Sequence, residues 1–129
     1  MQGTDQGPRG RVLVVEDNPD SRKSLALLLT LSGFEVHAAA DGPAGLSEAL
    51  AWRPDAVVSD IGMPGLDGWA LAEKLRAQMG TAVLLIALTG YGAPGDVERS
   101  FRAGFDAHLT KPADPTKLQE LLAHSGPLN

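Results

Sequence analysis

The stretch DAVVSDIGMPGLDGW, residues 55–69, decides how the rest of the chain is read. Ala56 to Ser59 form a small or apolar run of strand length, Asp60 ends it, and glycines and prolines follow at once. An acidic residue closing a segment that otherwise reads as core is out of place in a purely structural strand. It makes sense where the strand end is the working edge of a sheet, with glycines behind it that let backbone approach a ligand closely.

Outward from this segment the same unit, an apolar run followed by a helical pattern, repeats along the chain. RVLVVE (11–16) is β-branched and nearly continuous in apolar residues, as expected of a strand covered on both faces. It feeds DNPDSRKSLALLLTLSG (17–33), where Asp17 or Asn18 is placed to cap a helix, Pro19 suits the first turn and Gly33 suits the end. The alternation continues as strand 34–40, helix 42–53, strand 55–60, helix 66–79, strand 81–89, helix 93–104, strand 105–110 and helix 114–125. Five βα units with short connections predict an α/β fold: a doubly wound (βα)5, flavodoxin-like, parallel five-stranded sheet with helices on both faces. Residues 1–10 are polar and aperiodic and read as a disordered tail, 11–124 as one domain, and 125–129 as a C-terminal tail.

Composition excludes several classes. At 129 residues and 43% hydrophobic content the chain supports one compact domain with its own core. A formal net charge of −5 argues against binding nucleic acid or an anionic membrane through bulk charge. The absence of cysteine excludes disulfides and thiolate metal sites and fits a reducing compartment. No apolar run approaches the roughly 20 residues that span a bilayer, and the N-terminus lacks a basic segment followed by an apolar one. The expected location is cytoplasmic, with no membrane and no nucleic-acid partner.

In an open parallel sheet, ligands bind beyond the carboxyl ends of the strands, where strand order reverses. Here those ends carry Glu16-Asp17, Asp60, Thr89 and Thr110-Lys111-Pro112. Each has an ordinary explanation alone: Asp17 or Asn18 as a helix cap, Asp60 as a turn residue, Lys111 as a solvated lysine. Together they bring three carboxylates, a hydroxyl and an ammonium to one edge. Three ionised carboxylates in close quarters call for a cation, and a hard divalent ion, Mg2+ before Ca2+, suits oxygen ligands. Cation, lysine and hydroxyl make a cradle for a dianionic phosphoryl group, and a carboxylate at its centre can be the nucleophile that accepts it.

VLVVEDNPDSR (12–22), DAVVSDIGMPGLDGW (55–69), ALTGYG (87–92) and GFDAHLTKP (104–112), at these spacings, resemble the response-regulator receiver domain of two-component signalling over residues 11 to about 124. The resemblance implies that Asp60 is the phosphoacceptor and that Asp17 binds Mg2+ directly. It implies that Glu16 acts mainly through a bound water and that the Gly62 carbonyl is a further ligand. Thr89 would hydrogen-bond a phosphoryl oxygen, Lys111 would pair with the phosphoryl group, and the Lys111-Pro112 bond would be cis, as proline permits. The expected donor is a histidine kinase or a histidine phosphotransfer protein. A hybrid sensor kinase is a further possible home for such a domain, and a phosphorylation-dependent dimer is among the assemblies the resemblance allows. Phosphorylation and dephosphorylation at Asp60 are the only chemistry expected, with no free-substrate enzyme activity unless the domain is part of a hybrid kinase.

The sequence departs from the family pattern in places. His108 stands where the family usually has the tyrosine or phenylalanine that swings inward on phosphorylation, so the switch pair is Thr89 and an ionisable ring. Gly62 opens the site on one side and Tyr91 is placed to close it on the other. His37 and His124 have no counterpart in the motif and read as structural or solvated. No output domain is expected after Asn129, so neither DNA binding nor nucleotide cyclisation is read from this chain.

In the first helix, at about 100° per residue, Leu25, Leu28, Leu29 and Ser32 share the arc expected to face the sheet. Leu27 and Leu31 fall off that arc, four residues apart, and read as a docking patch for the phosphodonor. Two other functions are weighed against the signalling switch. A degenerate receiver would bind proteins without phosphorylation, but all five motif residues are present. A haloacid-dehalogenase-like phosphatase would place its nucleophile in a D-x-D pair after the first strand, where this chain has EDNP, and would carry a cap insertion that this chain lacks.

Overall fold

In the computed structural model, which describes residues 10–63, 65–90 and 94–123, strand alternation sorts the core into two halves. Successive side chains of a strand point to opposite faces. In β1 (Arg11–Val15) Val12 and Val14 therefore join one apolar cluster while Leu13 and Val15 join the other. β3 (Ala56–Asp60) and β4 (Leu84–Thr89) divide in the same way, with Ala56, Val58, Ile86 and Leu88 on the first side and Val57, Leu85 and Ala87 on the second. The first side is covered by Leu25 and Leu29 of α1 (Pro19–Leu31) and by Leu118 and Leu122 of α5 (Pro115–Leu122). The second is covered by Ala49 of α2 (Gly42–Trp52), Leu71 and Leu75 of α3 (Gly68–Met79) and Ala103 of α4 (Pro94–Ala103). Burying one leucine such as Leu29, which is fully enclosed, contributes about 2 kcal/mol.

With β2 (Glu35–Ala39) and β5 (Ala107–Thr110) the sheet has five parallel strands in the order β2-β1-β3-β4-β5. This is the doubly wound flavodoxin-like arrangement expected from the sequence. From β1 the chain steps outward to β2, then crosses back over β1 to β3, so strand order reverses between β1 and β3. Glu16 and Asp60 follow or end those two strands, which places them at the crevice where this topology binds ligands. Among the described residues no helix is long and apolar enough to cross a membrane.

The starts of α1, α2, α3 and α5 are set by Asx caps. Asn18 rather than Asp17 caps α1, its side-chain oxygen accepting from Ser21 N at 3.0 Å. Asp41, Asp67 and Asp114 do the same for α2, α3 and α5. α1 ends at Ser32, and Gly33 takes the left-handed φ of 100° expected of it. Leu28 and Ser32 are half-buried beside Leu25 and Leu29, and Ser32 accepts from Gln119 Nε2 of α5, so this arc faces the core.

Several strand boundaries differ from expectation. β4 begins at Leu84, not 81, because Gly80–Ala82 form a 3-10 turn after α3. Gly80 adopts φ 60°, and the Arg76 guanidinium holds the turn by donating to the carbonyls of Gly80 and Val83 at 2.6 and 2.9 Å. β2 loses Phe34, whose N–H donates to Leu29 O at the end of α1. β5 begins at Ala107, because Phe105 N–H is drawn to Ser100 O of α4. His37 has a structural role: its ring stacks on Trp52 with centroids 3.6 Å apart and its Nδ1 meets Glu48 Oε2. The expected tail residues 1–9 and 125–129, together with Tyr91 and His124, lie outside the described residues.

Candidate functional site

At the C-terminal edge of the sheet, Glu16, Asp17 and Asp60 each present a carboxylate oxygen, all within 4.8 Å of one another. Glu16 and Asp60 are buried, at 1% and 7% exposure, while Asp17 faces solvent. β5 delivers Lys111 just beyond its last residue, with Nζ 2.8 Å from Glu16 Oε1 and 3.2 Å from Asp60 Oδ2. The Lys111-Pro112 bond is cis. Thr89 ends β4 beside β5, and its Oγ1 lies 2.7 Å from His108 Nε2.

Burial opposes the charge on Lys111, but hydrogen bonding to Glu16 and the nearby negative charge of Asp60 and Glu16 outweigh it and raise the Lys111 pKa above 10.5. The ammonium is therefore a fixed charge at neutral pH. One cation against three carboxylates leaves the pocket with excess negative charge. The donor set is all oxygen and partly open to solvent through Asp17, which fits a hard divalent cation that keeps several waters. Gly62 N–H lies 3.3 Å from Asp60 Oδ1, and among the described residues beyond its chain neighbours a Cβ at Gly62 would meet no atom within 4 Å, so the position beside the carboxylate is open.

Glu16, Asp17, Asp60, Gly62 and Lys111 thus come together around one carboxylate, with Thr89 and His108 bonded to each other on the neighbouring strands. Leu27 and Leu31 do not join this group; they lie on the outward face of α1, 59% and 77% exposed. Between α1 and the turn after β5 is a cavity of about 540 Å3, lined by Glu16, Asp20, Ser24, Leu28, Lys111 and Pro112 among others.

Sequence reasoning missed three supports of this site. Arg22 reaches back from the first turns of α1 so that its NH1 donates to Glu16 O at 3.0 Å and lies 3.4 Å from Asp17 O, bracing the acidic turn from behind. The available signal was an arginine one and a half turns beyond an acidic pair. Asn18 N–H donates to Glu16 Oε2 at 3.0 Å, so the residue that caps α1 also fixes the buried carboxylate. Gly68 packs its backbone onto Asp60, where an added Cβ would come within 2.5 Å of Asp60 O.

Comparison with known proteins places this geometry. The chain is 45% identical over 102 residues to the transcriptional regulatory protein PrrA of Mycobacterium leprae, a match that covers 79% of this chain and 43% of that regulator. The chain therefore spans less than half the length of that relative. Its fold is similar to the chemotaxis response regulator CheY4 of Vibrio cholerae, with a TM-score of 0.81 and 29% identity over 91% of this chain and all of the other. It is also similar to the receiver domain of a signal transduction histidine kinase from Syntrophus aciditrophicus, with a TM-score of 0.77 and 33% identity over 88% and 89% of the two chains. Residues 12–123 match the family model of the response regulator receiver domain, and the chain belongs to that family.

Proposed function

We propose that this domain is a phosphoacceptor switch in which Asp60 takes a phosphoryl group from a phosphohistidine on a histidine kinase or a histidine phosphotransfer protein. The observation that carries the reading is the position of the Asp60 carboxylate, within 3.2 Å of the Lys111 ammonium and inside a cluster of two further carboxylates. An Asp60 oxygen attacks phosphorus, the P–N bond of the donor breaks, and the imidazole nitrogen keeps the electron pair. Lys111 offsets negative charge on the phosphoryl oxygens as they approach Asp60. Thr89, at the end of the adjacent strand, offers its hydroxyl hydrogen to one of them.

Glu16, Asp17, Asp60 and the Gly62 carbonyl would hold Mg2+, Glu16 mainly through water. When bound, the ion supplies positive charge that lowers the repulsion between the incoming phosphoryl group and the carboxylates. Glu16 is already bonded to Lys111 and to Asn18 N–H, which supports an outer role for it and leaves the solvent-facing Asp17 as the direct protein ligand beside Asp60.

The unit proposed is the domain of residues 11–124, acting in the cytoplasm, where such donors present their phosphohistidines. Phosphorylation changes the surface around α4 and β5 and can drive dimerisation there. The donor docks on the outward face of α1 through Leu27 and Leu31, whose exposure supports such a contact.

Incubation with acetyl phosphate and Mg2+ tests the reading. One phosphoryl group per chain on Asp60, lost in Asp60→Asn, is the expected result. No incorporation at all would favour a receiver that binds partners without phosphorylation. Turnover of a small phosphate ester would favour a phosphatase.

A further inference from the structure

Thr89 Oγ1 and His108 Nε2 lie 2.7 Å apart, a full hydrogen bond between a hydroxyl and a ring nitrogen. The sheet puts them there: Ala87 is the β4 partner of His108 and Thr89 follows two residues later on the same face. Thr89 is 6% exposed and the ring is half-buried, so little water competes for the bond.

A hydroxyl has one hydrogen to give and two lone pairs to offer, while each imidazole nitrogen either donates or accepts according to where its hydrogen sits. Once Thr89 gives its hydrogen to a phosphoryl oxygen, the contact with His108 survives in one form, with Nε2–H donating into an Oγ1 lone pair. A phenylalanine ring at this position would carry no donor, and a tyrosine would carry its donor on the phenol oxygen rather than on the ring.

We propose that His108 is a positioning residue for Thr89: in the phosphorylated domain its ring carries a hydrogen on Nε2, donates it to Thr89 Oγ1, and so directs the Thr89 hydroxyl hydrogen at the phosphoryl group. This rests on the reading of Asp60 as the phosphoacceptor. Protons balance without net uptake. A ring that starts with its hydrogen on Nδ1 loses that hydrogen to solvent and gains one on Nε2, while the Thr89 hydrogen turns from Nε2 to the phosphoryl oxygen. A ring that starts as Nε2–H keeps it. The signal is then carried by the direction of one hydrogen bond with the ring already in place, and no inward swing of the ring is needed.

The test uses the whole chain with 15N-labelled histidine rings, loaded with Mg2+ and beryllium fluoride as a phosphoryl mimic. His108→Phe assigns the His108 signals. The expected result is a one-bond N–H coupling at His108 Nε2 in the loaded protein, retained in Thr89→Ser and lost in Thr89→Val. The rate of labelling at saturating acetyl phosphate should fall about tenfold in His108→Phe with little change in half-saturating concentration, the loss expected when one oriented hydrogen bond is removed. A bare Nε2 beside an Asp60 carboxyl that clearly responds to the mimic overturns this inference alone. An Nε2–H that persists in Thr89→Val also overturns it, since the ring then takes that form without Thr89. No response at the Asp60 carboxyl removes the phosphoacceptor reading and the inference with it.

Discussion

Lys111 and Glu16 form an ion pair of 2.8 Å in which the glutamate side chain is 2% exposed and the lysine 30%. The same ammonium stands 3.2 Å from Asp60, so one cation serves two buried carboxylates. Its pKa is raised because these attractions exceed the opposing cost of burial. A lysine that holds its proton more tightly in the folded state adds stability that is fully present below its unfolded value of about 10.4, and that stability is lost as pH rises through the folded value. Unfolding free energy should therefore drop in the alkaline range above about pH 10 more steeply in the wild type than in Lys111→Met. Urea midpoints measured across that range check this, and parallel slopes would show that Lys111 does not couple to folding. At neutral pH Lys111→Met should cost about 3 kcal/mol, because it leaves Glu16 buried with the Asn18 N–H but without its cation.

The acidic cluster has the opposite sensitivity. Glu16, Asp17 and Asp60 repel one another, and Lys111 pairs with Glu16 and Asp60. Asp60→Asn removes one negative charge and keeps the shape, and Lys111 retains its bond to Glu16. Without Mg2+ this substitution should stabilise the domain by about 1 kcal/mol, raising the melting temperature by several degrees. Added Mg2+ should then stabilise the variant less than the wild type. A melting temperature that stays level or falls in the metal-free variant would mean that the Asp60–Lys111 attraction outweighs the repulsion.

The fold was legible because the central strands β1, β3 and β4 are nearly continuous apolar runs, and parallel crossovers leave few ways to connect five alternating strands and helices. The meeting of Glu16, Asp17, Asp60 and Lys111 followed from the same reasoning, since the carboxyl ends of parallel strands share one edge. What escaped depends on where long side chains turn. Arg22 could have pointed to solvent from α1, and only the fold shows it returning to the carbonyls of Glu16 and Asp17. Arg76 binds the turn before β4 through the carbonyls of Gly80 and Val83, a side-chain course that residue preferences do not encode. The bond between Thr89 and His108 needs the register of β4 on β5, which alternation in a single strand leaves open.

Two glycines near Asp60 should respond to the same change to very different degrees. At Gly68, the first residue of α3, a Cβ would lie 2.5 Å from Asp60 O and 2.7 Å from Ile61 Cα, both backbone atoms at the end of β3. Gly68→Ala should cost about 2 kcal/mol and slow phosphorylation by displacing the end of β3. At Gly62 a Cβ meets nothing within 4 Å among the described residues beyond its chain neighbours, so Gly62→Ala should change stability by less than about 0.5 kcal/mol. Denaturant titrations of the two variants side by side check this; equal losses would mean that the close packing of α3 on Asp60 relaxes without cost.

Leu27 and Leu31 supply the remaining prediction. At about 100° per residue they share the outward face of α1 with Asp20 and Ser24, roughly opposite the buried Leu25 and Leu29. Asp20 and Ser24 line the cavity that also reaches Glu16 and Lys111, so the stripe of α1 that carries the leucine pair leads to the mouth of the acidic pocket. A helical hairpin that brings its phosphohistidine to Asp60 along this stripe would cover both leucines. Burying the pair contributes roughly 2 to 4 kcal/mol before the costs of association, at about 25 cal/mol per Å2 of apolar surface. Neither side chain supports the core, so Leu27→Lys with Leu31→Glu should leave the melting temperature within a few degrees of the wild type. The double variant should lose most phosphoryl transfer from a protein donor while taking phosphate from acetyl phosphate at the normal rate, since a small donor needs no docking surface. Equal loss from both donors would place the defect in the fold of α1, and undiminished transfer from the protein donor would remove the leucine pair from the docking surface.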